Sequence, residues 1–371
     1  VGGAARRRPG VSFLWGAATS AHQVEGDCRD NDWWAWEAEG KVEGGARSGL
    51  ATDHFRRFKA DIELAASLKL NAYRFSIEWS RFEPREGQWD SSAFDFYQAL
   101  VAECERAGLK PMATLHHFAS PQWFAELGGF SSDAAPKRFA RFVEKIAQSE
   151  LASRIPLWCT INEPIPLIVG SYLGRFMPPG VYAPASASAA CANLLRAHVA
   201  AYDALHANIQ RRAGPWATEA LMVGFAHNML DFRADKRFHP IERLIAWQLD
   251  RLYNRAWLDA VCGRRQSFGL PGLLPAVPEV LAARGRQTAD FIGVNYYTKA
   301  YVQWRPRSFD VERAPEVPVG VLFARRKEPA SDLGWAIHPE GFRRALRRAS
   351  AYGVPLFVTE NGIADRTDQM R

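Results

Sequence analysis

The chain has 371 residues, of which 47 % are hydrophobic and 23 % charged, proportions that exclude a disordered or a collagen-like chain. Forty-seven Lys and Arg against 40 Asp and Glu give a net charge of +7. The basic residues are scattered, with dense runs only at Arg6-Arg7-Arg8 and Arg325-Arg326-Lys327 and no accompanying nucleic-acid signature, so no nucleic-acid partner is expected.

Short β-rich apolar runs alternate with longer stretches of helical period, the pattern of parallel β/α units. The predicted strands are Phe13–Ala18, Ala72–Trp79, Lys110–Phe118, Leu157–Glu163, Leu221–Asn228, Asp290–Tyr297 and Pro355–Asn361. The predicted helices between them are Asp53–Leu68, Ser91–Ala107, Pro136–Ser149, Ala189–Arg212, Ile241–Val261 and Pro339–Ala351. Pro136 suits a first helical turn, and Gly108 stops the helix that ends at Ala107. Phe176–Ala190 and Pro306–Leu333, rich in Pro with Ala and Ser or with charge, read as long loops. No sharp linker and no fixed repeat is visible. The expected organisation is a basic flexible tail over residues 1–10 and one domain over 11–371, an α/β chain of the (β/α)8 barrel type.

Five widely spaced cysteines without a C-x-x-C pair argue against a disulfide framework and against a zinc site of the usual spacing. Nothing approaches the ~20 apolar residues of a membrane helix, so no membrane partner is expected. The short basic N-terminal stretch is followed by no apolar segment of signal-peptide type, which leaves the cytoplasm as the expected location.

Polar and aromatic residues collect where the predicted strands end: Gln23, Arg74, Glu78-Trp79, His116-His117, Asn162-Glu163, Asn295, Tyr297 and Glu360. In a β/α barrel those ends converge on one face, where the active site lies, so a polar cup is expected. Glu163 and Glu360 each close an apolar strand. Two facing carboxylates are what glycoside hydrolysis uses; a separation of ~5–5.5 Å would mean retention of configuration and ~6.5–9.5 Å inversion. A lone Glu at a strand end is more often a solvated rim residue. It is the pair with amide and aromatic neighbours that points to chemistry. Trp33, Trp34, Trp36 and Trp79 read as core residues rather than sugar platforms, and His116 as packing.

The segment Phe13-Leu14-Trp15-Gly16-Ala17-Ala18-Thr19-Ser20-Ala21-His22-Gln23-Val24-Glu25-Gly26 resembles the N-terminal signature of the family 1 glycoside hydrolases, the β-glucosidase family. Arg74–Arg81, Leu115-His116-His117-Phe118, Asn162-Glu163-Pro164, Asn295-Tyr296-Tyr297 and Thr359-Glu360-Asn361-Gly362 resemble its other blocks in order. The resemblance implies a retaining β-glycosidase acting on a β-glycoside or oligosaccharide, with Glu360 as nucleophile and Glu163 as acid/base. It further implies that Gln23, His117, Asn162, Asn295 and Tyr297 bind substrate, and that Arg74 and Tyr297 support the nucleophile. A raised pKa is expected at Glu163. No metal and no cofactor is implied.

Three departures from the family pattern stand out. Ile165 replaces an aromatic that often follows the Asn-Glu-Pro block, and Ala119-Ser120-Pro121 replaces a commoner acidic version. The third is that the family's chain continues through an eighth strand, whereas seven strands are predicted here and the sequence ends eleven residues after Glu360. The expectation is therefore a barrel lacking its eighth strand and last helix, whose open edge invites self-association or a complementing chain. The alternative expectation is a non-catalytic or partner-complemented barrel that acts as a binding scaffold.

Overall fold

The structure, a computed structural model, describes residues 13–209, 214–264, 286–305 and 319–367. The basic tail, residues 1–10, lies outside them. Ten strands are present among the described residues: β1 (Gly16–Ala18), β2 (Ala72–Ser76), β3 (Lys110–His116), β4 (Leu157–Asn162), β5 (Met222–Asn228), β6 (Asp231–Ala234), β7 (Phe291–Asn295), β8 (Lys299–Trp304), β9 (Val319–Leu322) and β10 (Leu356–Glu360). Seven of them form one parallel sheet in the order β1-β2-β3-β4-β5-β7-β10, each within one of the predicted strands. Helices His54–Ser67, Ser91–Arg106, Ala135–Ala147, Pro184–Asn208, the compound helix from Pro240 to Val261, and Pro339–Ser350 connect successive strands. The result is a β/α barrel wall, closed enough that Arg74 on β2 reaches Glu360 on β10.

The two-residue period of the strands sorts the side chains. On β2, Tyr73 and Phe75 face the helices, where Phe75 stacks on Tyr97 at 6.1 Å, whereas Arg74 faces the opposite way. One large apolar cluster fills the space between sheet and helices. A small second one, Met112, Leu157 and Phe291 with Leu14, Met222 and Phe357 around it, draws on β3, β4, β5, β7 and β10 and forms a bottom layer. Side chains further along the same strands stand above it and are polar: Thr114, Asn162, Asn295 and Thr359.

Two expected loops are corrected. The segment expected to run as loop over Phe176–Ala190 becomes helical at Pro184: a proline in the first turn and an alanine-rich run favour helix, and Ala187 and Ala190 pack fully buried. Within Pro306–Leu333, the described part contains β9, which pairs antiparallel with β8, while β6 pairs parallel with β8. These three strands extend the chain beyond β5 and β7. They are short, two of them mixing polar with apolar residues and β9 reading Val-Gly-Val-Leu, and none is long enough to show a period of its own. Trp36 and Trp79 are buried as expected, but Trp33 and Trp34 are only half-buried.

Gly293 on β7 shows how tightly the polar layer is packed. A Cβ there would lie 2.7 Å from Thr359 Cγ2 and 2.8 Å from the Phe225 carbonyl oxygen. We expect Gly293→Ala to destabilise the chain by about 1–3 kcal/mol through overpacking, read as a lower urea midpoint at unchanged slope.

Candidate active site

The two glutamates reach the cup by backbone devices. On a regular strand, consecutive residues face opposite sides. In β10 the register slips: Val358 pairs with Val294 and Glu360 with Asn295, leaving Thr359 as the extra residue of a bulge. Thr359 and Glu360 can therefore both serve the site. Thr359 Oγ1 donates to Asn295 Oδ1 at 2.6 Å, while the Glu360 carboxylate accepts from Arg74 and Tyr297. After β4 the solution differs. Asn162 ends the strand, and Glu163 takes a left-handed conformation with φ +48°, capping the helix Pro164–Tyr172. That strained geometry for a non-glycine residue brings its carboxylate into the same cup.

Arg74 joins the parts. Its Nη1 donates to Glu360 Oε1 at 2.7 Å, its Nη2 to Asn162 Oδ1 at 2.8 Å, and its Nε to Thr114 Oγ1 at 3.0 Å. Tyr297 Oη donates to Glu360 Oε2 at 2.8 Å. Burial, and then the charge of Glu360, push the Tyr297 phenol well above its ordinary range and keep it a donor. Each Glu360 oxygen thus has its own donor, which an ionised carboxylate can satisfy.

The amide orientations follow from their partners. Asn295 Oδ1 accepts from Thr359, so its Nδ2 must be the group that donates to Glu163 Oε1 at 2.8 Å and to Asn162 Oδ1 at 3.2 Å. Asn162 Oδ1 then accepts from both Arg74 and Asn295, while its Nδ2 is buried with no partner among the described residues. A buried amide donor without an acceptor is costly, and a ligand oxygen would satisfy it.

Glu163 is buried and its carboxyl is pushed up to about 7, by burial first and by the charge of Glu360 second. Oε1 accepts from Asn295 and also from Asn228 Nδ2 at 3.0 Å, so a proton on Glu163 belongs on Oε2. His117 Nε2 stands 3.9 Å from Glu360 Oε1. Burial, then the charge of Arg74, hold the imidazole well below its usual pKa, so the contact is with a neutral ring and is not an ion pair. His117 Nδ1 is buried and has no partner among the described residues. His116 turns away from the cup to bond Ser120 Oγ and to pack on Phe130 and Phe139.

The structure thus brings together Arg74, His117, Asn162, Glu163, Asn295, Tyr297 and Glu360. Gln23 stands apart: it is exposed on the one-turn helix after β1, its carboxamide oxygen accepting from Ser20 Oγ, and it bonds neither glutamate. Sequence reasoning missed Thr114, Asn228, Tyr253 and Thr359. Asn228 ends a predicted strand, and the strand-end criterion that selects Asn162 and Asn295 would have found it.

The raised pKa of Glu163 has a consequence for stability. A carboxyl near 4.5 when unfolded and near 7 when folded binds its proton better in the native state, so it stabilises the fold at low pH and loses that contribution as pH rises towards 7. We expect Glu163→Gln to gain about 3 kcal/mol relative to wild type between pH 4.5 and pH 7, measured as the difference of two denaturant titrations at each pH.

The family model described as "Glycosyl hydrolase family 1" matches residues 8–371. Beta-glucosidase 4 of Oryza sativa subsp. japonica is 31 % identical over 388 residues, which cover 96 % of this chain and 77 % of the rice protein. The beta-glycosidase from Pyrococcus horikoshii superposes with a TM-score of 0.81 at 36 % identity, covering 97 % of this chain and 77 % of that one. The Thermotoga maritima beta-glucosidase in complex with glucoimidazole gives 0.82 at 26 % identity, over 95 % and 79 % of the two chains. This chain is similar to each across nearly its whole length and spans about three quarters of theirs. With the barrel and both strand-end glutamates in place, it belongs to glycosyl hydrolase family 1, the retaining O-glycosyl hydrolases.

Proposed function

We propose that the chain hydrolyses terminal β-linked sugars by double displacement, with Glu360 as nucleophile and Glu163 as acid/base. The observation that carries this reading is the unequal treatment of the two carboxylates. Glu360 has a donor on each oxygen, as a nucleophilic anion requires, whereas Glu163 is buried and raised to about 7, as a proton donor requires.

In the first step a Glu360 oxygen attacks the anomeric carbon. The bond to the leaving oxygen breaks as the Glu163 Oε2 proton passes to it. Forming the glycosyl ester removes the charge of Glu360, and with it the second cause of the raised Glu163 pKa. Glu163, having given up its proton, then stays ionised and is available as the base that the second step needs. It then takes a proton from water, whose oxygen attacks the anomeric carbon and releases Glu360.

The unpartnered Asn162 Nδ2 and His117 Nδ1 are the donor and acceptor we assign to sugar hydroxyls, Asn162 to the 2-hydroxyl. Asn295 and Tyr297 would border the same sugar, and Gln23 would join them from the rim. Relatives named beta-glucosidase, beta-galactosidase and aryl-phospho-beta-D-glucosidase support a β-D-glucoside as the first substrate class to test.

We further propose that residues 11–371 act as one catalytic domain, a reading supported by the single large core cluster that runs from Phe55 to Leu356. The five free cysteines favour a reducing compartment such as the cytoplasm. Among the described residues the ladder ends at β1 and β10, and these edges, beside exposed Phe13, Trp15 and Val358, are where a second copy of the chain would pair. A monomer by light scattering at millimolar concentration would remove that last reading. No observation favours a non-catalytic scaffold.

An activated 2-deoxy-2-fluoro-β-glucoside should add one fluoroglycosyl group, mapped by mass spectrometry to the peptide containing Glu360. Glu360→Gln should abolish both labelling and turnover. Glu163→Gln should slow glycosides with poor leaving groups by roughly 10²–10⁴-fold while sparing those with very good ones. Wild-type rates from Glu360→Gln would overturn the assignment.

A further inference from the structure

Glu163 is gripped by a side-chain chain that begins on another element. Tyr253 Oη donates to Asn228 Oδ1 at 2.8 Å, and Asn228 Nδ2 donates to Glu163 Oε1 at 3.0 Å. Because the phenol donates to Asn228 Oδ1, the amide presents Nδ2 to the carboxylate; turning it over would oblige the phenol to accept instead. Tyr253 comes from an unusual place. The helix that starts at Pro240 passes through one π-helical turn, Asp250–Arg255, before resuming as Ala256–Val261.

That turn is clasped to the end of β5. Asn254 Oδ1 accepts from the Leu230 N–H at 3.0 Å, and its Nδ2 donates to the Leu230 carbonyl at 2.7 Å and to Asp250 Oδ1 at 2.8 Å. His227 Nε2 bonds the Asn254 carbonyl at 3.2 Å. Burial lowers the His227 pKa to about 4, so the ring is neutral and Nε2 carries its one proton. A turn of this kind inside an α-helix displaces one residue from regular phase and is frequent where function needs it. Here the displaced turn carries the tyrosine whose hydroxyl orients the amide beside Glu163.

We propose that Tyr253 is a positioning residue for Glu163, acting through Asn228 to keep a donor on Oε1 and thereby the transferable proton on Oε2. The proposal rests on the reading of Glu163 as the acid/base. Around Glu163 the charged and titratable groups are Glu360 on β10, Arg74 on β2, Tyr297 after β7 and Tyr253 itself, with His117 against Glu360. Burial, then the charge of Glu163, push the Tyr253 phenol well above its ordinary range, so it stays a donor throughout the working pH. Of these groups only Tyr253 reaches Glu163 through a neutral amide that reverses its polarity when released. Without the phenol, Asn228 can turn its oxygen to Oε1, which favours the protonated carboxyl.

The test needs no turnover. Glutamate labelled with ¹³C at the carboxyl carbon is incorporated into the full chain, and the Glu163 signal is identified by its loss in Glu163→Gln. In Tyr253→Phe the Glu163 titration should move up by roughly one to two units, the worth of one donor bond to a charged group. Asn228→Ala should produce the same upward shift, and the double variant no more than either alone, because both act on one path. An unmoved Glu163 titration in Tyr253→Phe with a wild-type melting temperature overturns the proposal. If Tyr253→Phe does not fold, an unmoved titration in Asn228→Ala overturns it from the other end. The acid/base reading fails separately, by Glu163→Gln retaining wild-type rates on glycosides with poor leaving groups.

Discussion

The site hangs on one buried guanidinium. Arg74 has lost nearly all contact with water, and a buried cation is tolerable only with charge and hydrogen-bond partners around it. It finds them on three other strands at once: Thr114 on β3, Asn162 on β4 and Glu360 on β10. Each strand end is thereby tied to the next, across the mouth of the barrel as well as around its wall. The same contacts decide the orientation of the neutral amides. With Arg74 and Asn295 both donating to Asn162 Oδ1, the Asn162 Nδ2 is left pointing at whatever occupies the cup.

Two glutamates of the same chemistry are made different by what lies around them. Glu360 meets a cation and a phenol, one on each oxygen. Glu163 meets two neutral amides, both on Oε1, and a burial cost that nothing fully offsets. The two sites are also coupled, because the charge on Glu360 is itself part of what raises Glu163. In the proposed mechanism this coupling is what lets one carboxyl act as acid and then as base: the nucleophile loses its charge on forming the ester and regains it at the end.

The backbone contributes as much as the side chains. A bulge at Thr359 lets two consecutive residues of β10 serve one face, and a left-handed Glu163 turns its side chain inward from the end of β4. A π-helical turn brings Tyr253 to Asn228. Each departs from ideal geometry beside a functional group, and the surrounding packing holds it: Gly293 makes room for Thr359, and Asn254 clasps Leu230.

The strand and helix order of the barrel was legible in the sequence, because short β-rich apolar runs and amphipathic stretches of period 3.6 are local properties. The candidate glutamates were legible too, since strand ends converge in a barrel and polar residues at those ends declare themselves. What the sequence could not show is anything that depends on which neighbour a side chain meets. Only the first turns of the helix from Pro184 were hidden, by proline and serine that read as loop, and their alanines bury against other helices only in the folded chain. Thr114, Tyr253 and Thr359 carry no signal by type or spacing, and Asn228 carries only its place at a strand end. They matter because the fold sets them within 3 Å of Arg74, Asn228, Asn295 and Glu163 respectively. The sequence by itself determined the barrel and placed the two carboxylates at its mouth. Only the tertiary structure decided that Glu360 meets a donor on each oxygen while Glu163 is buried with both its donors on one, because that difference lies in burial and hydrogen bonding and not in residue type.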